Sequence, residues 1–381
     1  MKILYLGRNS GTSAHRAAAM VRLGHDVEIL DPLSMIPSNR LMSQWVWRTG
    51  ALGVTRLVHR RSLKAMGGAD FDIAWIDSGE MVDARLVQDL KKRIPFVVCY
   101  NVDDPFGDRD GLRWRAYRSA VPFYDLVVVV RVPNVEEAYR SGARRVMHVY
   151  RSADEVAHAP HRLSPEEWEK WNSEVVFVGT AFPERGPFFA DLIRLGVPLT
   201  IYGTRYDRLP EWDLLKPHWR GEDTSTAEGY ANAICAAKVC LGLLSKGNRD
   251  LHTQRSLEIP SLGSVFCAER TSEHMALYNE DREAVFWTGA AECAAKCLAL
   301  LNDEAWRKSV ADRGRQRYLD GPWQNMRVMQ SVIETALEGT KTNPSSITRR
   351  AVPVDDAFRA GDLQAELNSI PKAQTREIYG S

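Results

Sequence analysis

The segment between residues 244 and 263 holds the densest set of side chains that could bind a charged ligand. It contains three cations, Lys246, Arg249 and Arg255. It also contains two carboxylates, Asp250 and Glu258, which are eight residues apart. Cations beside a helix N-terminus suit a diphosphate, because their full charges add to the partial charge of the helix end. A carboxylate one turn into the helix could accept hydrogen bonds from a ribose diol. The alternative is a surface helix in which Arg255 pairs with Glu258 at i,i+3 spacing.

A second candidate site follows the first predicted strand, where residues 7–13 read Gly-Arg-Asn-Ser-Gly-Thr-Ser. This loop offers Ser10, Gly11 and backbone N–H groups to an anion or a sugar hydroxyl, although a tight turn explains it equally well. Dinucleotide-binding proteins need G-x-G-x-x-G here, whereas these glycines are four apart and the third is missing. The loop therefore disfavours NAD, even though Asp31 ends the second strand where a ribose carboxylate would lie.

Four carboxylates in the first half of the chain are candidates for acid–base or metal chemistry. Asp103 and Asp104 precede Pro105 at a strand end, where they could supply a general base or simply cap a turn. Asp108 and Asp110 are two residues apart and could hold a divalent cation, but we interpret them as a solvated loop. We therefore expect no metal cofactor.

Alternating strand and helix patterns must position these residues. The predicted strands are Lys2–Leu6, Asp26–Leu30, Phe71–Ile76, Phe96–Tyr100, Asp125–Val130, Val146–Tyr150, Glu174–Val178, Leu199–Tyr202, Val239–Leu244, Val265–Ala268 and Ala284–Trp287. Apolar strands that alternate with helices are typical of parallel sheets covered on both faces. The sequence thus predicts an α/β protein with two Rossmann-like, doubly wound domains facing a central cleft.

A lapse in this alternation marks the domain boundary, because residues 151–170 are polar and begin a new helix at Ser164-Pro-Glu-Glu. We predict domains over residues 1–155 and 165–322, and a helix over 323–338 that crosses back to the first domain. Residues 339–381 are predicted to be mostly a flexible tail, with at most one short helix near 355–367.

Composition narrows the class of protein. Among 381 residues, Lys and Arg number 50 and Asp and Glu 49, a balance that disfavours nucleic acid as a partner. No apolar run approaches the roughly 20 residues of a membrane-spanning helix, and the apolar N-terminal stretch is too short for a secretion signal. The six cysteines form no C-x-x-C, and no His or Cys pair stands near Cys293 and Cys297 in the sequence to complete a zinc site. We expect free thiols in a cytoplasmic protein.

Several segments together resemble a known family. These are Arg255–Glu269, Glu273–Phe286, Val176-Phe-Val-Gly179 with Glu184-Arg185, Thr200–Gly203, and Asn101-Val-Asp-Asp-Pro105. They are similar to the group 1 (family 4-like) glycosyltransferases, and within that group to the CgeB-type branch. The resemblance implies a GT-B fold that binds a nucleoside-diphosphate sugar as co-substrate, with no other cofactor.

The resemblance also implies roles for individual residues. Glu258 matches the second Glu of the group's E-x7-E motif and would bind the donor ribose, while Asp250 replaces the first Glu with a shorter carboxylate that would hold the transferred sugar. The residues implied on the donor side are Gly179, Arg185, Arg255, Glu258 and Gly263. From the chemistry of the residues together with the resemblance, we place Asp250, Lys246 and Asp104 in catalysis and Ser10, Gly11 and Asp103 on the acceptor side. Transfer is expected to be metal-independent and to retain the anomeric configuration.

One basic segment lies outside these motifs. Residues 32–69 contain no acidic residue, but they contain Trp45, Trp47 and six cations: Arg40, Arg48, Arg56, Arg60, Arg61 and Lys64. Such a segment could contact an anionic membrane through residues 40–64 or meet a phosphate-bearing acceptor, although a solvated helical face has the same composition. We expect a cytoplasmic protein with peripheral contact at the inner face of the membrane.

The sequence therefore predicts a glycosyltransferase of the hexosyltransferase type. It would move a sugar to an acceptor hydroxyl of a glycan, lipid or protein, in the assembly of a cell-surface polysaccharide or another glycoconjugate. Two alternatives remain open: a nucleotide-sugar epimerase on the same fold, and a non-catalytic protein that binds a sugar or a surface.

Overall fold

The computed structural model describes residues 1–338, which form two compact units. Unit 1 comprises Met1–Tyr150, Ser245–Asp250 and the described residues from Asn325 onward. Unit 2 comprises Arg151–Leu244 and Leu251–Gln324. Each unit contains one fully parallel β-sheet.

Eleven strands are found in the described part of the chain. They are β1 Lys2–Leu6, β2 Asp26–Leu30, β3 Ile73–Asp77, β4 Phe96–Asn101, β5 Leu126–Val129, β6 Val146–His148, β7 Ser173–Val178, β8 Leu199–Tyr202, β9 Ala237–Gly242, β10 Val265–Glu269 and β11 Val285–Trp287.

Fifteen α-helices accompany them within residues 1–338. They are α1 Gly11–Arg22, α2 Arg40–Thr49, α3 Val54–Met66, α4 Ala84–Lys91, α5 Arg115–Ala120, α6 Val132–Arg140, α7 Pro165–Trp171, α8 Arg185–Arg194, α9 Trp212–Leu215, α10 Ala227–Cys235, α11 Arg255–Ser261, α12 Ser272–Leu277, α13 Ala290–Asn302, α14 Glu304–Asp320 and α15 Asn325–Glu338.

The two sheets share one winding pattern. The sheet of unit 1 has the order β2-β1-β3-β4-β5-β6, and the sheet of unit 2 has the order β11-β10-β9-β7-β8. In each, the first strand lies between the second and the third, so the direction of winding reverses between the first and third strands. In open α/β sheets, ligands bind beyond the carboxyl ends of the strands at this switch point. The point lies between β1 and β3 in unit 1 and between β7 and β9 in unit 2.

Helix α15 completes the core of unit 1. Its buried face packs against α1 and shares one apolar cluster with residues of β1, β3, β4 and β5. The side chains that α15 contributes are Val328, Met329, Val332, Ile333 and Ala336. Arg145, just before β6, donates a hydrogen bond to the carbonyl of Thr335 in the last turn of α15 (2.6 Å).

The local signals in the sequence correspond to observed helix ends. Ser164 and Glu167 form a capping box at the start of α7, and Asn39 and Asp83 cap α2 and α4 through their side chains. The prediction of an α/β protein with two doubly wound sheets is confirmed. The proposed tail, including the helix near 355–367, lies outside the described residues.

The structure differs from the sequence prediction at the ends of several strands, and the difference at β9 bears on the site. The predicted strand Val239–Leu244 ends at Gly242, so Leu243 and Leu244 form the loop that follows β9. Pairing with β10 stops at Gly242, and the carbonyls of both leucines accept hydrogen bonds from Arg185 instead.

None of the helices among residues 1–338 combines the length and the apolarity needed to cross a membrane.

Candidate functional site

The switch point of unit 2 is occupied by a buried arginine. Arg185 is the first residue of α8, and its guanidinium spans the carboxyl ends of β7 and β9. It donates to the carbonyl of Thr180 after β7 (2.7 Å) and to those of Leu244 and Leu243 after β9 (3.2 and 3.4 Å). The guanidinium also lies over the rings of Phe182 and Phe177, 4.5 and 5.0 Å from their centroids.

Arg185 has no counterion in the described part of the chain. Only 6% of the residue is exposed, no carboxylate forms an ion pair with it, and its Nε has no hydrogen-bond partner. Burial lowers the pKa of Arg185 to about 10, because its charged form is desolvated and the nearby acidic groups compensate incompletely. The side chain is still protonated at neutral pH, so the switch point carries a positive charge, beside the N-terminus of α8, that no ion pair within residues 1–338 neutralises.

Glycines make room for this arrangement. A Cβ at Gly179 would lie 3.3 Å from Nη1 of Arg185, and a Cβ at Gly203 would lie 2.0 Å from the carbonyl oxygen of Gly179. Gly203 also has a φ of +134°, which L side chains rarely adopt. Gly263 is different, because it lies after α11 and before β10, at the amino edge of the sheet, with a φ of +80°. This placement separates Gly263 from the predicted donor site and gives it the role of a turn residue.

Glu258 lies in the first turn of α11 and is held by neighbouring side chains. Its Oε1 is 3.4 Å from Nε2 of His158, and its Oε2 is 3.5 Å from Nη1 of Arg255. The backbone N–H of Asp154 donates to Nδ1 of His158 (3.0 Å), so the imidazole proton is on Nε2 and points to Glu258. The expected i,i+3 contact between Arg255 and Glu258 therefore exists, but it is long, and the guanidinium also lies over Tyr230.

The sequence analysis did not identify His158. It lies in the polar segment that joins the predicted domains, where no motif or periodicity marks it. Its contact with Glu258 spans 100 residues of sequence, so only the folded chain shows the pairing.

Lys246 and Asp250, both predicted to act in catalysis, lie within the predicted donor domain, residues 165–322, but both belong to unit 1. Asp250 forms a buried ion pair with Arg131 at the start of α6. Arg131 also donates to the carbonyls of Asn248 (2.8 Å) and Val102 (3.0 Å). The structure thus commits the Asp250 carboxylate to a structural ion pair, and it assigns Asp250 and Glu258 to different units.

The predicted base Asp104 is also committed to an ion pair. Both of its oxygens accept from Arg249, at 2.6 and 2.7 Å, and Oδ1 accepts from Asn134 at 2.8 Å. Burial alone would raise the pKa of Asp104, but the hydrogen bonds and the charge of Arg249 outweigh it and lower the pKa. A carboxylate stabilised in this way is a weak base. Asp103 is more accessible, with a third of its side chain exposed and Arg113 at 3.8 Å.

Asp110, one of the two carboxylates considered for a cation, accepts hydrogen bonds within unit 1. Its Oδ2 accepts from Nη1 of Arg113 (2.9 Å) and Nε1 of Trp114 (3.1 Å). Arg113 in turn stacks on Trp47, 4.1 Å from the ring centroid. Asp110 therefore anchors a loop next to α2.

The switch point of unit 1 also holds a buried arginine, but this one is neutralised. Arg16 of α1 makes a bidentate ion pair with Asp77 at the end of β3 (2.7 and 2.8 Å), and the hydroxyl of Tyr5 donates to the same carboxylate (2.7 Å). The predicted acceptor-side residues Ser10 and Gly11 are exposed at the start of α1. Ser10 is the N-cap, but its side chain makes no capping hydrogen bond.

Three cysteines that are distant in the sequence meet in the core of unit 2. Cys267 of β10 lies beside Cys293 and Cys297 of α13, and the three Sγ atoms are within 4.8 Å of one another. The sequence analysis found no His or Cys pair near Cys293 and Cys297, and it missed the single strand cysteine that the fold brings to them. All six cysteines of the chain are free thiols. The three clustered ones are fully buried among apolar side chains, where small weakly polar groups pack well.

Comparisons with known proteins agree with this architecture. Residues 185–333 match the family model described as glycosyl transferase-like. No curated protein matches the sequence. Among solved structures, sucrose-phosphate synthase from Thermosynechococcus elongatus has a TM-score of 0.63 at 10% identity, covering 89% of this chain and 100% of that one.

Two further structures have similar scores. Anabaena HepE in complex with UDP and glucose has a TM-score of 0.59 at 14% identity, covering 89% of this chain and 100% of its own. A putative UDP-N-acetylglucosamine 2-epimerase from Listeria monocytogenes has a TM-score of 0.57 at 8% identity, covering 92% and 99%. At these identities the likeness establishes the fold, and the chain has the GT-B fold. The match between residues 185–333 and the glycosyl transferase-like model supports sugar transfer in particular.

Proposed function

We propose that this protein transfers a sugar from a nucleoside-diphosphate sugar to an acceptor hydroxyl, with unit 2 binding the donor. The observation that carries the proposal is Arg185, a buried cation at the switch point of the sheet in unit 2 that forms no ion pair with any carboxylate of residues 1–338. A desolvated charge is costly unless an anion compensates it, so a bound diphosphate would complete this site.

The chemistry of sugar transfer fits such a site. Cleavage of the glycosidic bond leaves a nucleoside diphosphate, and negative charge develops on its oxygens as the bond breaks. A fixed guanidinium and the N-terminus of α8 stabilise this charge without rearranging, and they need no metal ion to do so. Glu258, held by His158 and Arg255, would accept hydrogen bonds from the ribose hydroxyls.

The acceptor side of the proposal rests on unit 1. Asp250 and Asp104 form ion pairs with Arg131 and Arg249, so our proposal gives neither carboxylate a catalytic role. A retaining transfer by front-face attack needs no enzymic base, and we propose that course. Asp103, with Ser10 and Gly11, is the accessible group for orienting an acceptor hydroxyl.

Calorimetric titration with UDP tests the donor site. UDP is the first nucleotide to try because HepE, which shares the fold, was solved with UDP and glucose. We expect Arg185→Met to raise the Kd for UDP by roughly 10- to 100-fold, since a hydrogen bond to a charged group contributes about 1.5–3 kcal/mol. Arg194→Met is the matched control, because Arg194 is at the exposed end of the same helix and forms an ion pair with Asp191, away from the switch point.

Two further measurements complete the test. Unchanged UDP affinity in a folded Arg185→Met protein would show that Arg185 does not bind UDP. GDP, dTDP and CMP should then be titrated in the same way. Product analysis with a UDP-sugar separates the candidate activities. A transferase moves the sugar to an acceptor, an epimerase changes its configuration without one, and a non-catalytic binder leaves the donor intact over hours. We expect chelation of divalent metals to leave the rate unchanged.

A further inference from the structure

The helices α2 and α3 expose a surface that is both apolar and basic. We call it the α2–α3 face and define it by its exposed side chains Leu41, Trp45, Leu52, Arg56, Arg60 and Lys64. None of them belongs to the proposed donor site, which lies in unit 2.

The apolar part of the face is formed by three large side chains. Leu41 is 78% exposed, Trp45 49% and Leu52 50%. Leu41 and Trp45 are one turn apart on α2, so they lie on the same side of the helix. Nε1 of Trp45 donates to the carbonyl of Leu52 (2.9 Å), which holds the indole beside the loop that contains Leu52.

The basic part of the face lies along α3. Arg56, Arg60 and Lys64 follow one another at intervals of four residues, so their exposed side chains form one row on the helix. Within residues 1–338 no carboxylate pairs with any of the three, which agrees with the lack of acidic residues from Pro32 to Ala69. Their charges are therefore available to an external anion.

The exposed side chains do not result from a loosely packed region. The opposite sides of the two helices and the loop between them bury Val46, Ala51, Val54 and Val58, which form an apolar cluster with residues that include Met81. Arg113 stacks on Trp47 of α2, and Asn39 caps the same helix. Both helices are thus fixed on unit 1, with their apolar and basic side chains directed to solvent.

We infer that the α2–α3 face binds the surface of a membrane that contains anionic lipids. Tryptophan and leucine side chains gain free energy when they leave water for the boundary between headgroups and acyl chains. The lysine and arginine side chains of α3 are attracted to the phosphates of anionic headgroups. A soluble polyanion would use the row of cations equally well, but it would leave Leu41 and Trp45 in water.

Flotation of the full chain with lipid vesicles tests the inference. We expect binding to phosphatidylcholine vesicles that contain phosphatidylglycerol, and little binding to phosphatidylcholine alone. The variant Arg56→Gln/Arg60→Gln/Lys64→Gln should weaken the partition coefficient on the order of 100-fold, because each cation near the surface contributes about 1 kcal/mol. High salt should also weaken binding of the parent protein to these vesicles, because it screens the attraction between the cations and the headgroups.

The matched control is Arg85→Gln/Arg93→Gln/Arg144→Gln. It removes the same charge from exposed positions of unit 1 outside the face, and we expect it to bind the vesicles like the parent protein. The apolar part is tested by Leu41→Ser/Trp45→Ser, which should lower vesicle binding by about tenfold or more and leave heparin binding unchanged. Both side chains are exposed, so this variant should stay folded, as circular dichroism would show.

Three results would overturn the inference. These are no binding of the parent protein to phosphatidylglycerol vesicles, an equal loss of binding in the control variant, and unchanged vesicle binding after the loss of Leu41 and Trp45. Binding to heparin or duplex DNA without binding to vesicles would assign the cations to a soluble polyanion instead.

Discussion

Two buried arginines occupy the same topological position in the two units but differ in their counterions. Arg16 lies at the switch point of unit 1 and makes a bidentate ion pair with Asp77. Arg185 lies at the switch point of unit 2 and is surrounded by carbonyl oxygens and aromatic rings. Asp77 raises the pKa of Arg16 although burial opposes this, whereas burial lowers that of Arg185.

The difference teaches that the winding of a sheet creates a binding position, but the neighbouring side chains decide what it can bind. In unit 1 the charge is cancelled within the chain, so the switch point suits a neutral, hydroxyl-bearing ligand. In unit 2 the charge is not cancelled, so the site suits an anion. The proposed division between an acceptor unit and a donor unit follows from this single contrast.

The largest expected effect comes from breaking the ion pair of unit 1. Asp77→Asn should lower the free energy of unfolding by about 3–5 kcal/mol, because it leaves Arg16 buried without a counterion. Urea denaturation, followed by a probe in unit 1, measures the loss. The double variant Arg16→Met/Asp77→Leu should recover most of it, since it removes both charges. If Asp77→Asn lost less than about 1 kcal/mol, Arg16 would not depend on its counterion.

Lowering the pH should destabilise unit 2 in particular, because unit 2 buries a neutral histidine. His274 accepts from Ser256 at Nε2 (2.8 Å) and donates from Nδ1 to the carbonyl of Glu269 (2.6 Å), and burial lowers its pKa to about 4. Between pH 6.5 and 4 the unfolded chain binds this proton and the folded chain does not, so stability falls as the pH falls.

The effect of His274 over that range is about 3 kcal/mol. We expect His274→Gln to remove that part of the pH dependence of unfolding. A second variant, Ser256→Ala, keeps the titrating imidazole and should keep the dependence. Parallel pH curves for the parent protein and His274→Gln would show that His274 is not buried in its neutral form.

Removing one carboxylate from each unit sharpens the contrast in ligand binding. Glu258→Ala in unit 2 should weaken UDP binding by about 1.5–3 kcal/mol, the contribution of a hydrogen bond to a charged group. Asp103→Ala in unit 1 should leave UDP affinity unchanged and raise the KM for the acceptor. Calorimetry and initial rates provide the two readouts. If Asp103→Ala weakened UDP binding and Glu258→Ala raised the KM for the acceptor instead, the donor would bind to unit 1 and the acceptor to unit 2.

The smallest expected effect comes from giving Arg185 the counterion that it lacks. Thr180 lies beside the guanidinium, so Thr180→Asp should neutralise it and weaken UDP binding by about tenfold, or 1.4 kcal/mol. Thr180→Asn has nearly the same shape without the charge and should bind UDP more tightly than Thr180→Asp. Equal affinities in the two variants would mean that charge at this position does not govern binding.

Much of the fold could be predicted because its signals are local. The predicted strands Asp26–Leu30 and Leu199–Tyr202 coincide with strands of the structure, and the capping box at Ser164 marks the start of α7. The resemblance in the sequence also selected Arg185 and Glu258, which the structure places in the first turns of α8 and α11 in unit 2.

The rest could not be predicted because it depends on long-range contacts. Asp250 matches a sugar-binding position in the family pattern, yet its ion pair is with Arg131, 119 residues away. The ion pair of Asp104 could not be predicted for the same reason, since its partner Arg249 is 145 residues away. The meeting of Cys267 with Cys293 and Cys297 likewise requires β10 and α13 to be packed together. Spacing along the chain contains no information about these partners.

The place of α15 in unit 1 has a consequence for synthesis on the ribosome. Residues 1–150 emerge first, but Ile3, Trp75, Tyr100 and Val128 share their apolar cluster with a helix that emerges after all of unit 2. Until then α1 alone covers part of this face of the nascent sheet, and a chain stalled before residue 325 would expose the rest to chaperones or to aggregation. All of unit 2 is synthesised before α15, whereas one apolar cluster of unit 1 is completed only by that helix.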